Sequence, residues 1–265
     1  MNRTTLNNLP RNLTAGILGR VNGANAHRFG MTSRNHRNVV RELRPRIEGN
    51  NMFRPERFLW TARPGELTAV LEQVPAGACV LLLPGDHGDV TAFNGVFLFG
   101  QPGASIRNAV FMGPGLTVLD GVTCSTVHAS CNGTGRFRIQ NCSIYPPENG
   151  TGISIRTRDS LILRNEILGG SVGIIILRPG CVIQENTISG FTFGIRQSSY
   201  DTSTIRNNVI VDNQYGVRTN GPACAGITNN DFMNNEIAIY TEHGYDITDV
   251  GPDNTFVGND HIIHV

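Results

Sequence analysis

Residues 204–219, TIRNNVIVDNQYGVRT, hold two short pieces, TIRNNVIV and YGVRT, separated by Asp, Asn and Gln. Each carries a run of three to five strand-like residues rich in Ile and Val, too short for a helix, and β-branched side chains favour strands. The arrangement recurs along the chain. Glycines of TGISIR, SVGIII, TFGIRQ and YGVRTN fall at 152, 173, 194 and 216, with Ala238 of IAIYT in the next place, spaced by 21, 21, 22 and 22 residues. A second series keeps step: Asn165, Asn186, Asn208, Asn230 and Asn254, spaced by 21, 22, 22 and 24. Two signals with one period predict stacked units that cannot bury their apolar faces alone, hence a solenoid, and the strands make it a parallel β-solenoid.

Upstream, GVFLFG, SIRNAVFMG, LTVLDGVTCS and RFRIQNCSI continue the alternation of strand and turn, giving about eight coils from residue 78 to the end. Before them PGELTAVLEQVPAGACVLLLPGDH predicts an amphipathic helix with Leu67, Val70, Leu71 and Val74 on one face, then a strand from Cys79 to Leu83. On these repeats the chain resembles the right-handed parallel β-helix of the pectate-lyase-like and short-repeat β-helix families. The resemblance implies a mainly β fold whose open end is capped by that helix. It implies no single function, since the fold hosts lyases, hydrolases, epimerases, viral spikes and binding proteins.

Composition separates the first residues from the coils. There is no lysine among 265 residues, and all 22 basic residues are Arg. Residues 1–57 carry 11 Arg against Glu42, Glu48 and Glu56, while residues 58–265 carry 11 Arg against 18 acids. A basic head of this kind suits nucleic acid or an acidic protein surface, and charge alone does not separate the two; nucleic acid is the less expected partner. No signal-like apolar stretch follows the start, and no run of about 18 apolar residues could span a membrane. The six cysteines, at 79, 124, 131, 142, 181 and 224, form no Cys-x-x-Cys pair, as expected of small buried hydrophobes in a reducing compartment. The expected location is cytoplasmic or nuclear, in a host cell if the protein is viral, and not secreted.

Within the repeats, asparagines at coil corners are expected to bond backbone and one another rather than to form a site. Two places beyond the repeating glycine stand Ser154, Ile175, Arg196, Arg218 and Tyr240. Arg196, Arg218 and Tyr240 should therefore stack on one outer face, about 4.8 Å apart, as a partner-binding row. Polysaccharide lyases of the resembled fold use arginine as general base beside acids that hold calcium. That makes Arg196 and Arg218 the residues to test for catalysis, although the nearby Glu185, Asp201 and Asp212 fall at different coil positions. GDHGD (85–89), TEHGYD (241–246) and NDHIIH (259–264) set His beside acids without the spacing of a closed metal site. No metal, cofactor or catalytic residue is expected. The motifs of polygalacturonases (Asn-Thr-Asp, Gly-His-Gly) and of alginate epimerases (Tyr-Gly-Phe/Ile-Asp-Pro-His) are absent.

At the start, LPRNLTAGILGRV (9–21) places Pro10 in a first helical turn, with Leu9, Leu13, Ile17, Leu18 and Val21 forming an apolar stripe. A helix over Ala26 to Met31, and a third capped by Thr32 or Ser33 with Val39, Val40 and Leu43 on its apolar face, complete a small bundle. Leu-Pro, the Ile17–Leu18 pair and SRNH at 33–36 make residues 8–45 resemble an F-box, with Arg11 and His36 departing from the usual acidic and Trp places. The resemblance implies docking on the ubiquitin-ligase adaptor subunit through Leu9, Pro10, Leu13, Ile17, Leu18 and Val21. The expected organisation is an F-box-like segment over 1–50, a linker and capping helix over 51–77, and the β-helix over 78–265. The function it implies is a substrate receptor of a cullin-RING (SCF-type) ubiquitin ligase whose β-helix presents an unidentified protein substrate by proximity. The alternatives are a polysaccharide-active β-helix enzyme and a structural or attachment protein of a virus.

Overall fold

The structure, a computed structural model, describes residues 59–130, 135–198, 203–220, 226–241, 250 and 253–264. The chain divides into two units, Met1–Thr61 and Ala62–Val265. The helical segment expected over residues 8–45 lies outside the described residues. The second unit is a right-handed parallel β-helix, as the repeat predicts, with three strand faces per coil.

The first face runs from Ala78–Leu82 through Val96–Gly100, Leu116–Asp120, Arg136–Gln140, Leu161–Leu163, Val182–Gln184 and Thr204–Arg206 to Ile227–Thr228. The second begins at Gly85–Asp86 and ends with Val209–Val211, Asp231–Met233 and Thr255–Val257. The third includes Val90–Ala92, Thr151–Ile155, Tyr215–Thr219, Ile237–Thr241 and His261–His264. In four coils one strand rounds the bend from second face to third: Ala104–Phe111, Thr123–Ala129, Glu166–Ile176 and Thr187–Gln197. Nine strands on the second face mark nine coils, one more than the repeat suggests.

One apolar residue per coil points inward from each face, and in-register pairing stacks them. Leu98, Leu119, Ile139, Ile162, Ile183 and Ile205 form the first column. Ile106, Cys124, Ile144, Ile167, Ile188, Ile210 and Phe232 form the second, and Ala109, Val127, Ile153, Ile174, Ile195, Val217 and Ile239 the third. All are at most 2% exposed, and burying each larger side chain is worth about 2 kcal/mol. Leu67–Leu71 is the one described α-helix; it buries Leu67 and Val70 and packs against Val90–Ala92, with Val74 buried just beyond it.

The corner between first and second faces is held by the asparagine series. Asn186 Oδ1 accepts from both the backbone N–H and the Nδ2 of Asn165, each at 2.9 Å, and Asn208 Oδ1 does the same for Asn186 at 3.0 Å. Asn186, Asn208 and Asn230 then donate to backbone carbonyls of their own and the preceding coil, Asn186 to Gln184 and Ile162 at 3.0 Å. The residue before each asparagine takes a left-handed conformation: Arg164, Glu185, Asn207 and Asn229 have φ of 53° to 56°. A non-glycine residue in that region is strained, so the ladder's bonds offset a local cost. A second ladder, Asn213, Asn235 and Asn259, holds the corner between second and third faces in the same way.

Candidate functional site

The outer side of the third face holds the candidate residues Arg196, Arg218 and Tyr240. Its strands repeat aromatic-Gly-aliphatic-Arg in Phe193–Arg196 and Tyr215–Arg218, then Ile237–Tyr240. Strict alternation would put the first and fourth residues of such a stretch on opposite sides. The glycine prevents this. A Cβ on Gly194 would meet the Gly216 carbonyl at 2.6 Å and the Asn213 side chain, and one on Gly216 would meet the Ala238 carbonyl at 2.5 Å and the core rings of Phe232. The glycine and the following Ile195 or Val217 both turn inward, so the aromatic residue before them and the arginine after them both face out.

Phe193 and Tyr215 consequently stack, ring centroids 5.1 Å apart and planes 17° from parallel, and Tyr240 meets Tyr215 edge-on at 5.5 Å. Arg196 pairs in register with Arg218, and Arg218 with Tyr240. The Arg218 guanidinium lies 5.0 Å from the Phe193 ring and 5.6 Å from the Tyr240 ring, while that of Arg196 lies 5.8 Å from Phe193. All three are cation–π distances. Arg196 Nε is buried without a hydrogen-bond partner among the described residues, and the ion pairs described, Arg107–Asp86, Arg136–Asp159 and Arg164–Glu185, leave Arg196 out.

The sequence places Arg196, Arg218 and Tyr240 side by side, and the structure has them so. It omits Phe193 and Tyr215. Their spacing of 22 was visible, but alternation assigns them to the wrong side. Toward the helix-capped end the same register position holds Ile175, Ser154, His128 and Val110, so the arginines and aromatics are confined to the later coils. His128 has its imidazole pKa lowered by burial and by Arg156 beside it.

Among the described residues the acids weighed for lyase chemistry, Glu185 and Asp212, do not join the arginines. Glu185 sits at the first corner, its carboxyl pKa lowered by hydrogen bonds from Gln184 and from Arg164 at 2.6 Å; Asp212 is at the other corner, before Asn213; Asp201 lies outside the described residues. GDHGD opens with the strand Gly85–Asp86 and then leaves the sheet, with Asp86 accepting from the Gly88 N–H at 2.8 Å and the buried His87 bonding the Leu83 carbonyl through Nε2. In NDHIIH, Asn259 belongs to the second ladder. TEHGYD after Thr241 falls outside the described residues up to 249.

Fold and face together define a right-handed parallel β-helix with an arginine–aromatic strip on one outer side. Residues 88–263 match the family described as periplasmic copper-binding protein (NosD), and the chain belongs to that family. Among solved structures it is similar to the A-module of the mannuronan C-5 epimerase AlgE4 of Azotobacter vinelandii, with 14% identity over 76% of this chain and 93% of that one and a TM-score of 0.31. No curated protein matches the chain.

Membership of this family overturns several expectations. The ubiquitin-ligase receptor function, the adaptor partner docking on Leu9, Pro10, Leu13, Ile17, Leu18 and Val21, and the cytoplasmic or nuclear location all fail against a family described as periplasmic, a compartment without a cullin-RING ligase to dock on. Those six residues lie outside the described ones. Their spacing is an apolar pattern far commoner than any one partner for it. The family's copper also meets a poor donor set: among the described residues no three of His, Cys, Asp and Glu come together to hold a metal ion. No helix among the described residues is long and apolar enough to cross a membrane.

Proposed function

We propose that the chain is a periplasmic β-helix that binds an acidic polysaccharide along its third face. The observation that carries this is the Arg218 guanidinium held between the rings of Phe193 and Tyr240, with Arg196 one coil away. Sugar rings present apolar C–H faces that stack on aromatic rings, and guanidinium is the cation best shaped to hold a carboxylate by two parallel hydrogen bonds. Successive coils offer these groups about every 4.8 Å, so a polymer meets them repeatedly. A row of like charges without carboxylates bonded to Arg196 favours an anionic ligand over a neutral one. The periplasmic location rests on the family description. Arg196 and Arg218 act here as binding residues, a reading supported by the place of Glu185 and Asp212 at other corners.

Calorimetric titration with polygalacturonate and with alginate, beside neutral dextran, tests the reading. Salt-sensitive binding of the polyuronates, lost in Arg196→Ala plus Arg218→Ala, is expected. No binding of any acidic polymer would sink it, and formation of unsaturated sugars would replace a binder with a lyase.

A further inference from the structure

Copper(I) is taken by thiolates, and four cysteines lie among the described residues, all buried. Their positions in the stack tell what they do. Cys142 occupies the place just before Asn165 in the first corner ladder: its backbone N–H donates to Asn165 Oδ1 at 3.0 Å, as that of Asn165 does to Asn186. Its Sγ approaches the Gln140 carbonyl at 3.2 Å and the Leu119 carbonyl at 3.8 Å. These correspond to the two carbonyls that Asn186 Nδ2 reaches, two residues back and one coil back. Cys181 stands likewise between Ser160 and Ser203, where third face turns into first, joined by backbone bonds from Val182 to Ser160 and from Thr204 to Cys181 at 2.8 Å. Its Sγ reaches the carbonyls of Thr157 at 3.6 Å and Arg178 at 3.5 Å. Cys124 fills the second inward column between Ile106 and Ile144.

We infer that Cys124, Cys142 and Cys181 are fixed members of the stack, closed to copper and to oxidants, with the Cys142 thiol taking the hydrogen-bonding place that asparagine holds in the following coils and Cys181 standing in line with Ser160 and Ser203. Metal capture and oxidation both need the thiolate. Burial pushes the Cys142 thiol up to about 12 and the Cys181 thiol to about 11, and it raises Cys124 well above the ordinary value, with Cys142 beside it adding to the shift. Unpaired cysteines therefore say nothing here of a reducing compartment. Thiols closed in this way persist in an oxidising periplasm without forming disulfides.

The test uses the full chain with Cys79→Ala, Cys131→Ser and Cys224→Ser, leaving these three thiols alone, and the same chain with Cys142→Asn and Cys181→Ser added. Anaerobic copper(I) titration against a chromophoric chelator and native labelling with a disulfide reagent are the readouts. No sulfur-to-copper charge-transfer band, no labelling before denaturant is added, and an unfolding midpoint kept by the Asn and Ser replacements are expected. Native labelling within minutes, or a sulfur-to-copper band that Cys142→Asn plus Cys181→Ser abolishes, overturns the inference. Should the replacements fail to fold, the ladder role is overturned with them, while labelling and spectrum of the first chain still decide the closure to copper.

Discussion

The first corner and the outer third face are both built of one side chain per coil in register, yet they are opposite in kind. At the corner, Asn165, Asn186, Asn208 and Asn230 are the same residue four times, at most 2% exposed, with amide groups bonded on both sides. On the face, the position passes from Ser154 through Ile175, Arg196 and Arg218 to Tyr240, partly open to solvent toward its end. From Asn165 onward each coil poses the same folding problem at the corner, and the same residue solves it. The face has no such problem to solve, and a change of chemistry there from coil to coil is where a solenoid is adapted to something outside itself.

Asn208→Ala attacks the corner hardest. It removes the acceptor of two bonds from Asn186 and the donor to the carbonyls of Ile183 and Arg206 and to Asn230 Oδ1, all near 3.0 Å and all but the Arg206 bond buried. Stranding several buried polar groups costs about 3 kcal/mol, read as a lower urea midpoint at unchanged slope. Polysaccharide affinity of the folded fraction should not move. A loss below about 1 kcal/mol would show that the ladder is ornament rather than support.

Gly194→Ala joins the two regions. The new methyl meets the Gly216 carbonyl, a backbone atom that moves only with its strand. About 2 kcal/mol of stability should go, and the Phe193–Tyr215 stack above it should loosen, so binding of polyuronate should weaken as well. A stable variant with unchanged binding would mean that the glycine does not set which side chains face out.

Arg218→Ala is the converse of Asn208→Ala. Its expected effect is a tenfold weaker polyuronate affinity, about 1.4 kcal/mol, with a urea midpoint shifted by no more than the lost cation–π contacts, under about 1 kcal/mol. Equal affinity in the variant would move the binding strip elsewhere.

What could be read from the sequence follows the same division. The glycine and asparagine series were legible because one residue returns at one period, and they gave the coils, the corner and the Arg196–Arg218–Tyr240 row. Phe193 and Tyr215 were not, because two successive inward residues at the glycine break the alternation on which facing is judged. Asn213, Asn235 and Asn259 repeat at 22 and 24 residues and were open to the same counting. Cys142 was hidden by being a different residue in an asparagine's place. The helix pattern near the start misled for a physical reason: an apolar stripe reports that a face wants covering, not what covers it.

The smallest effect concerns that odd member of the ladder. The ordinary thiol value is 9.0, and in the fold Cys142 is raised to about 12 and Cys181 to about 11, so between these values the unfolded chain loses protons that the folded one keeps. A folded pKa above the unfolded one stabilises fully below pH 9 and is lost as pH rises toward the folded value. Stability should therefore be level up to about pH 9 as far as these groups decide it, then fall by roughly 1 kcal/mol per thiol over the next unit. Urea midpoints measured at intervals from pH 8 upward show the fall. Cys142→Asn should remove its share while keeping the corner bonded. If instead that variant is as alkali-sensitive as the parent, Cys142 is not the ladder member its position implies, and the corner's repetition stops at Asn165.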